Sequence, residues 1–327
     1  MSAEPSTRVL KAGSEAAKAA AQCLGAGGLV AFPTETVYGL GADATDGNAV
    51  ARLYAAKGRP SFNPLIAHVA DLAAAKQLAR FDATATRLAE ALWPGPLTLV
   101  LPKTADCPVS DLATAGLDSI AVRVPHHSVA HDVLAAFGRP IVAPSANRSG
   151  HVSPTTAAHV LADLRGLIDL IVDGGPTTVG LESTIIACVE QPTLLRPGGL
   201  PREAITRVLG HSLREAPLIQ AVEENEAPLA PGMLASHYAP KARLRLEASS
   251  VQPGEALLAF GPALAHSGAM LNLSLRGDLV EAAANLFSHL RALDATGAPS
   301  IAVMPVPEHG LGEAINDRLR RAAAPRE

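Results

Sequence analysis

Lys57 and Arg59 stand one residue apart at the centre of a stretch, Phe32 to His68, in which polar residues interrupt apolar runs: FPTETVYGLGADATDGNAVARLYAAKGRPSFNPLIAH. Burying polar groups without partners costs free energy, so such an insertion marks a site. Pro60 and Pro64 stiffen the loop that carries Ser61 and Asn63, and His68 follows. A fixed cationic pair beside small polar groups suits a polyphosphate, because Arg offers planar bidentate bonds and Lys a point charge. The bland reading is that the pair answers the dipole at a helix C-terminus. Three further sets repeat the theme. Ser145-Ala146-Asn147 follows a strand end, where open α/β sheets place ligands, although an Asx turn at Asn147 explains it equally well. Glu182-Ser183-Thr184 and Leu195-Arg196-Pro197-Gly198 set polar groups beside buried strands. Four such sets in one region point to one pocket.

Other chemistries find less support. Gly39-x-Gly41-x-x-Ala44 mimics a dinucleotide fingerprint, but Pro33-Thr34-Glu35-Thr36 is too polar for its first strand and the closing acidic residue is missing. The glycines read instead as a tight turn. No G-x-x-x-x-G-K-[S/T], G-x-S-x-G or H-E-x-x-H occurs. His126, His127 and His131 gather at a helix start with no carboxylate or cysteine in ligand spacing, and read as solvated. Cys23, Cys107 and Cys188 are odd in number and far apart, which indicates buried, inert thiols in a reducing compartment.

Composition narrows the class. The 327 residues favour two domains, and 48% hydrophobic with 18% charged residues fits a globular protein with a large core. With aromatics at 3% and a net charge of −4, neither base stacking nor a global basic field recommends nucleic acid. The N-terminus, broken by Lys11, Glu15 and Lys18, lacks a signal-peptide core, so a cytoplasmic protein without membrane spans is expected.

The elements that must position these groups follow from periodicity and breakers. Helices are expected over Ser14–Leu24 (capped by Ser14), from Asp46 or Asn48 to Lys57, and over Asp71–Leu78, Ala83–Leu92, Ser128–Phe137 and Thr155–Leu164. Strands are expected at Leu29–Phe32, Leu65–Val69, Leu97–Leu101, Ile120–Val124, Ile141–Ala143, Leu167–Val172, and as a pair at Ser183–Cys188 and Thr193–Leu195. Without a strict βαβ rhythm, this predicts an α/β domain with a mixed, twisted sheet over residues 1–210. Residues 211–241 read as a linker. Residues 242–327 alternate strand and helix (Arg243–Leu246, Glu255–Phe260, Asp278–Leu293, Ile301–Val306, Gly312–Ala323), which predicts a smaller parallel sheet of Rossmann type.

The stretches FPTETVYGLGA, KGRPSFNPLIAH, WPGPLTLVL, TAGLDSIAVRVP, APSANRSGHVSPT, DGG, ESTII and LRPG, in this order, resemble the YrdC-type domain. With APGMLASHYAP and the closing GLGEAINDRLRRAA, nearly the whole chain resembles the long, two-domain threonylcarbamoyl-AMP synthase family. The resemblance implies a nucleotidyltransferase that makes L-threonylcarbamoyladenylate and pyrophosphate from L-threonine, bicarbonate and ATP, with Mg²⁺ carried on the ATP phosphates. The product would pass to separate proteins that modify tRNA adenosine 37. The resemblance also places Lys57, Arg59, Asn63, Thr114, Ser145, Asn147, Ser153 and Arg196 toward ATP, with Tyr238 folding over the nucleotide. It places Thr34, His68, Arg123, Ala143 and Ser183 toward threonine, Ala143 through its backbone. Lys57 and Arg59 are the expected catalytic charges, Arg123 the expected partner of threonine's carboxylate, and His68 a candidate base or binding group. Two other readings compete: an RNA-binding module that holds a tRNA backbone, and a carbamoyl-adenylate-handling protein of the hydrogenase-maturation kind. The latter is associated with an acylphosphatase domain and cysteine pairs that this sequence lacks.

Overall fold

The protein is described by a computed structural model that covers residues 6–215 and 238–325. Most of the expected linker, including Ala230-Pro231-Gly232-Met233 and Ser236-His237, lies outside the described residues. Strands β1 (Arg8–Lys11), β2 (Val30–Pro33), β3 (Tyr38–Asp43), β4 (Ile66–His68), β5 (Leu97–Pro102), β6 (Ser119–Arg123), β7 (Ile141–Val142), β8 (Leu170–Asp173), β9 (Thr184–Ala187), β10 (Thr193–Arg196) and β11 (Arg214–Glu215) form one sheet. Their order is β1-β8-β2-β3-β7-β4-β6-β5-β9-β10-β11. The sheet is mixed, as expected: β4 runs parallel to β6 and antiparallel to β7, and the expected pair β9 and β10 runs antiparallel.

The helices of this unit are α1 (Ser14–Gly25), α2 (Gly47–Lys57), α3 (Leu72–Leu78), α4 (Ala83–Leu92), α5 (Asp111–Thr114), α6 (Ser128–Phe137), α7 (Ala157–Leu164) and α8 (Arg202–Leu209). Caps explain where several begin and end. Asp46 accepts from the Asn48 amide to start α2, and Gly58 closes it in a left-handed conformation that no β-carbon opposes. Asp71 and Asp82 cap α3 and α4. Ser14 does not cap α1; Gly13 holds that position with no side-chain bond. His127 is not simply solvated, because its Nδ1 accepts from the Val129 amide and caps α6. Cys188 is buried, whereas Cys23 and Cys107 are half-buried.

The expected turn at Gly39 and Gly41 is instead the interior of β3, paired with β2 on one side and β7 on the other. Residues alternate across a strand, so both glycines face the same side. A β-carbon at Gly39 would lie 3.1 Å from the Ala143 Cβ, and one at Gly41 would lie 2.8 Å from the Phe32 ring. The glycines permit close packing, not chain reversal.

A second sheet, β12 (Arg243–Arg245), β13 (Ala256–Ala259), β14 (Met270–Asn272) and β15 (Ser300–Val303), is parallel throughout, in the order β12-β15-β13-β14. It packs with α9 (Leu279–Asp294) and α10 (Leu311–Ala323) around Leu286, Phe287, Leu290, Ile301 and Ile315. Val37, Val152 and Leu181 of the first unit join this core. A β-carbon at Gly180 would sit 2.4 Å from the Ala283 carbonyl of α9, so the two units meet backbone to backbone there. Arg291 pairs with Asp163 at 2.7 Å and Arg202 with Glu313, both across this junction. Among the described residues no helix is long and apolar enough to cross a membrane.

Candidate active site

Strand register assembles the pocket. β4 and β6 run parallel with His68 opposite Arg123, and β7 pairs Ile141 with His68, which brings Ala143 beside them. Because residues two apart share a face, Ile66 with His68 and Ala121 with Arg123 line one side of the sheet. β10 is irregular between Leu194 and Arg196, a bulge that lets Arg196 reach back to Ser183. Its Nε and Nη2 donate to the Ser183 carbonyl at 3.2 and 2.8 Å, and Nη2 also reaches Ser183 Oγ at 3.2 Å. The cavity so formed is lined by Arg59, His68, Arg123, Ala143, Ser145, Ser183, Arg196 and Tyr238, with Glu182 and Thr36 among its other walls.

The site is rich in buried cations. Arg123 and Arg196 are 3% and 4% exposed. Burial, and then the nearby Arg196, pull Arg59 down to about 10, and burial also lowers Arg196. These guanidiniums converge on one cavity, where a polyanion would find charged, bidentate donors. Arg123 is balanced differently. Its guanidinium pairs with Glu35 at 2.7 Å and donates to Thr36 Oγ1 at 2.9 Å. Burial, reinforced by Arg123, depresses His68 to about 3, so the ring is neutral, with Nδ1 3.2 Å from the Ile66 carbonyl.

Comparisons with known proteins bear on this cavity. Residues 22–198 match the Sua5, YciO and YrdC family, described as telomere recombination, and residues 200–324 match the C-terminal domain of threonylcarbamoyl-AMP synthase. A threonylcarbamoyl-AMP synthase from Pyrococcus abyssi is 46% identical, with 91% of each chain covered. This chain belongs to the threonylcarbamoyl-AMP synthase family. A Bacillus subtilis threonylcarbamoyl-AMP synthase is 41% identical over 91% of this chain and 90% of its own. The crystal structure of P. abyssi Sua5 complexed with L-threonine superposes with a TM-score of 0.88 at 41% identity, covering 97% of both chains.

The other residues expected in the site are absent from this cavity's lining and are placed by their own hydrogen bonds. Lys57 is 3% exposed and donates from Nζ to the backbone carbonyls of Ser145 and Asn147. It thereby ties α2 to the Ser145–Asn147 loop and does not line the cavity. Burial, and then Arg59, hold its ammonium well below the usual lysine range. Asn147 Nδ2 donates to the Arg148 and His151 carbonyls, 2.8 Å each, shaping the same loop. Thr34 Oγ1 accepts from the Thr36 and Val37 amides. Ser153 donates to Glu182. Thr114 donates to the Asp111 carbonyl at 3.2 Å in α5, and Asn63 is buried with its carbonyl accepting from Tyr54 at 3.1 Å. The side-chain oxygens of Asn63 and Asn147 are buried without a hydrogen-bond partner. Two acids went unassigned in the sequence: Glu35, whose partner Arg123 is distant in the chain, and Glu182, legible only as a polar group before a strand.

Proposed function

We propose that the chain forms L-threonylcarbamoyladenylate and pyrophosphate from L-threonine, bicarbonate and ATP, for threonylcarbamoylation of tRNA adenosine 37. One observation carries the reading within its family: a buried cavity that gathers the guanidiniums of Arg59, Arg123 and Arg196 around neutral His68, Ser145 and Ser183. Threonine's amine attacks the carbon of bicarbonate or of the CO₂ derived from it, giving a carbamate with loss of water. A carbamate oxygen then attacks the α-phosphorus, and the bond to pyrophosphate breaks. The nucleophile is a substrate atom, so the protein's task is alignment and stabilisation of the charge that develops on phosphorus.

Arg59 and Arg196 are assigned to the phosphates. Lys57 is assigned a supporting role, holding the Ser145–Asn147 loop against the nucleotide. Arg123 orients threonine, with Glu35 fixing its fork so that one edge faces the cavity. His68 binds and does not act as a base. Burial keeps the His68 ring far less basic than an α-ammonium, so it is a poor acceptor for threonine's proton. Glu182 already accepts from Ser153 and Arg318 and is poorly placed to hold a metal. Mg²⁺ therefore belongs to the nucleotide substrate, bound by phosphate oxygens. A cytoplasmic location fits these substrates. Pyrophosphate release from ATP, measured with and without L-threonine and bicarbonate, tests the assignment; release that ignores threonine would sink it.

A further inference from the structure

A side chain of α10 packs behind the cavity, against residues of its wall. Arg318 is 0% exposed, and a buried guanidinium must be paired. Its Nε donates to Glu182 Oε2 at 2.8 Å, its Nη2 to the Pro197 carbonyl at 3.0 Å and its Nη1 to the Asp317 carboxylate. Its Cζ also lies 5.2 Å from the centre of the Tyr238 ring. These contacts touch three separate walls. Glu182 precedes Ser183 and carries Ser153 on its other oxygen; Pro197 follows Arg196. Tyr238, held with a left-handed φ of 65°, stacks on Phe287 of α9 at 5.6 Å.

We propose that Arg318 is a positioning residue of the nucleotide half of the site: it neutralises Glu182 on the cavity wall and holds the Arg196–Pro197 corner and Tyr238 in register with it. The inference rests on the cavity being the ATP site. Without Arg318, Glu182 would lose its ion-pair partner beside the place where a triphosphate must lie, and breaking a buried pair from one side is costly. The effect should fall on ATP and spare threonine, whose assigned partner Arg123 is balanced by Glu35. The neighbouring pair Arg202–Glu313 also joins the two units, through α8 and α10, but neither residue lines this cavity.

The test compares Arg318→Met, Arg318→Lys, Arg318→Met with Glu182→Gln, and Arg202→Ala. It combines steady-state pyrophosphate release with equilibrium dialysis of ATP. Arg318→Met should raise the KM and the Kd for ATP about tenfold or more, a loss of at least about 1.4 kcal/mol, with the threonine KM changed less than about threefold. Lysine should recover part of the loss, and removing the Glu182 charge in the double variant should recover part of it too. Arg202→Ala should leave ATP binding within about twofold of wild type, as surface-accessible pairs usually do. Unchanged ATP binding in Arg318→Met, an equal loss in Arg202→Ala, or no rescue by Glu182→Gln would each overturn the proposal. Dialysis needs no turnover, so it decides the role of Arg318 even if the wild-type protein releases pyrophosphate without threonine, a result that would instead refute the activity.

Discussion

Replacing Lys57 by Met separates direct phosphate contact from support of a loop. Methionine keeps the unbranched stem and removes the ammonium, leaving the Asn147 carbonyl without its donor while the Ser145 carbonyl keeps the Asn147 amide. Each buried carbonyl left unsatisfied costs about 1–3 kcal/mol. The substitution also removes a cation whose charge burial disfavours, which offsets part of the loss. A net destabilisation of about 1–3 kcal/mol follows, or a Tm lower by roughly 1.5–4 °C for a chain of this size. The loop also carries Ser145, a cavity residue, so kcat/KM should fall together with Tm. Calorimetry and pyrophosphate release on the same preparation make the comparison. A loss of about 100-fold or more in kcat/KM with Tm unchanged would refute the reasoning, since it would place the ammonium on the phosphates as an electrostatic catalyst.

Arg59→Ala should behave in the opposite sense: a loss of about 2–4 kcal/mol of transition-state stabilisation, seen in kcat at saturating ATP, with little change in Tm. Wild-type turnover in that variant would remove Arg59 from the phosphate site. His68, held near 3 against an ordinary value of 6.5, is unprotonated when folded while the unfolded chain takes up a proton across that window. Its contribution to stability is therefore present above pH 6.5 and is lost as pH falls toward 3. The urea midpoint should drop less between pH 7 and pH 5 in His68→Gln than in wild type, and equal drops would contradict the depressed value. Gly180→Ala would press a β-carbon against α9 at a φ of +75°. It should loosen the junction and increase limited proteolysis between the two units; an unchanged digestion pattern would show that α9 can yield.

What was readable in the chain had local causes. Helices α4 and α6 coincide with their expected ranges, and α2, α3 and α4 start at the aspartates that cap them, because periodicity, caps and breakers act within a few residues. β3 defied that logic. Tyr38-Gly39-Leu40-Gly41 looks like a turn locally, yet the glycines are needed where Phe32, Ile141 and Ala143 approach from neighbouring strands. Helix α8 and strand β14 have no counterpart among the expected elements: Pro201 precedes α8 and gives it no side-chain cap, and β14 is three residues long.

The site divides along the same line. Residue types in the sequence already declared a phosphate-binding chemistry: a Lys-x-Arg pair, Ser-x-Asn at a strand end and an Arg before Pro-Gly are short-range patterns, and they carry the family resemblance. Which of those groups faces the substrates could not be read there. Lys57 and Arg59 are separated by one glycine, yet the helix end turns one under a loop and the other into the cavity. Arg318, Arg320 and Arg321 are neighbours in one basic run, and only the packing of α10 buries the first against Glu182 while leaving Arg320 on the surface. Burial, pairing and register join residues far apart in the chain. Those three decide which charges the cavity uses, and they exist only once the sheet and its second unit have closed together.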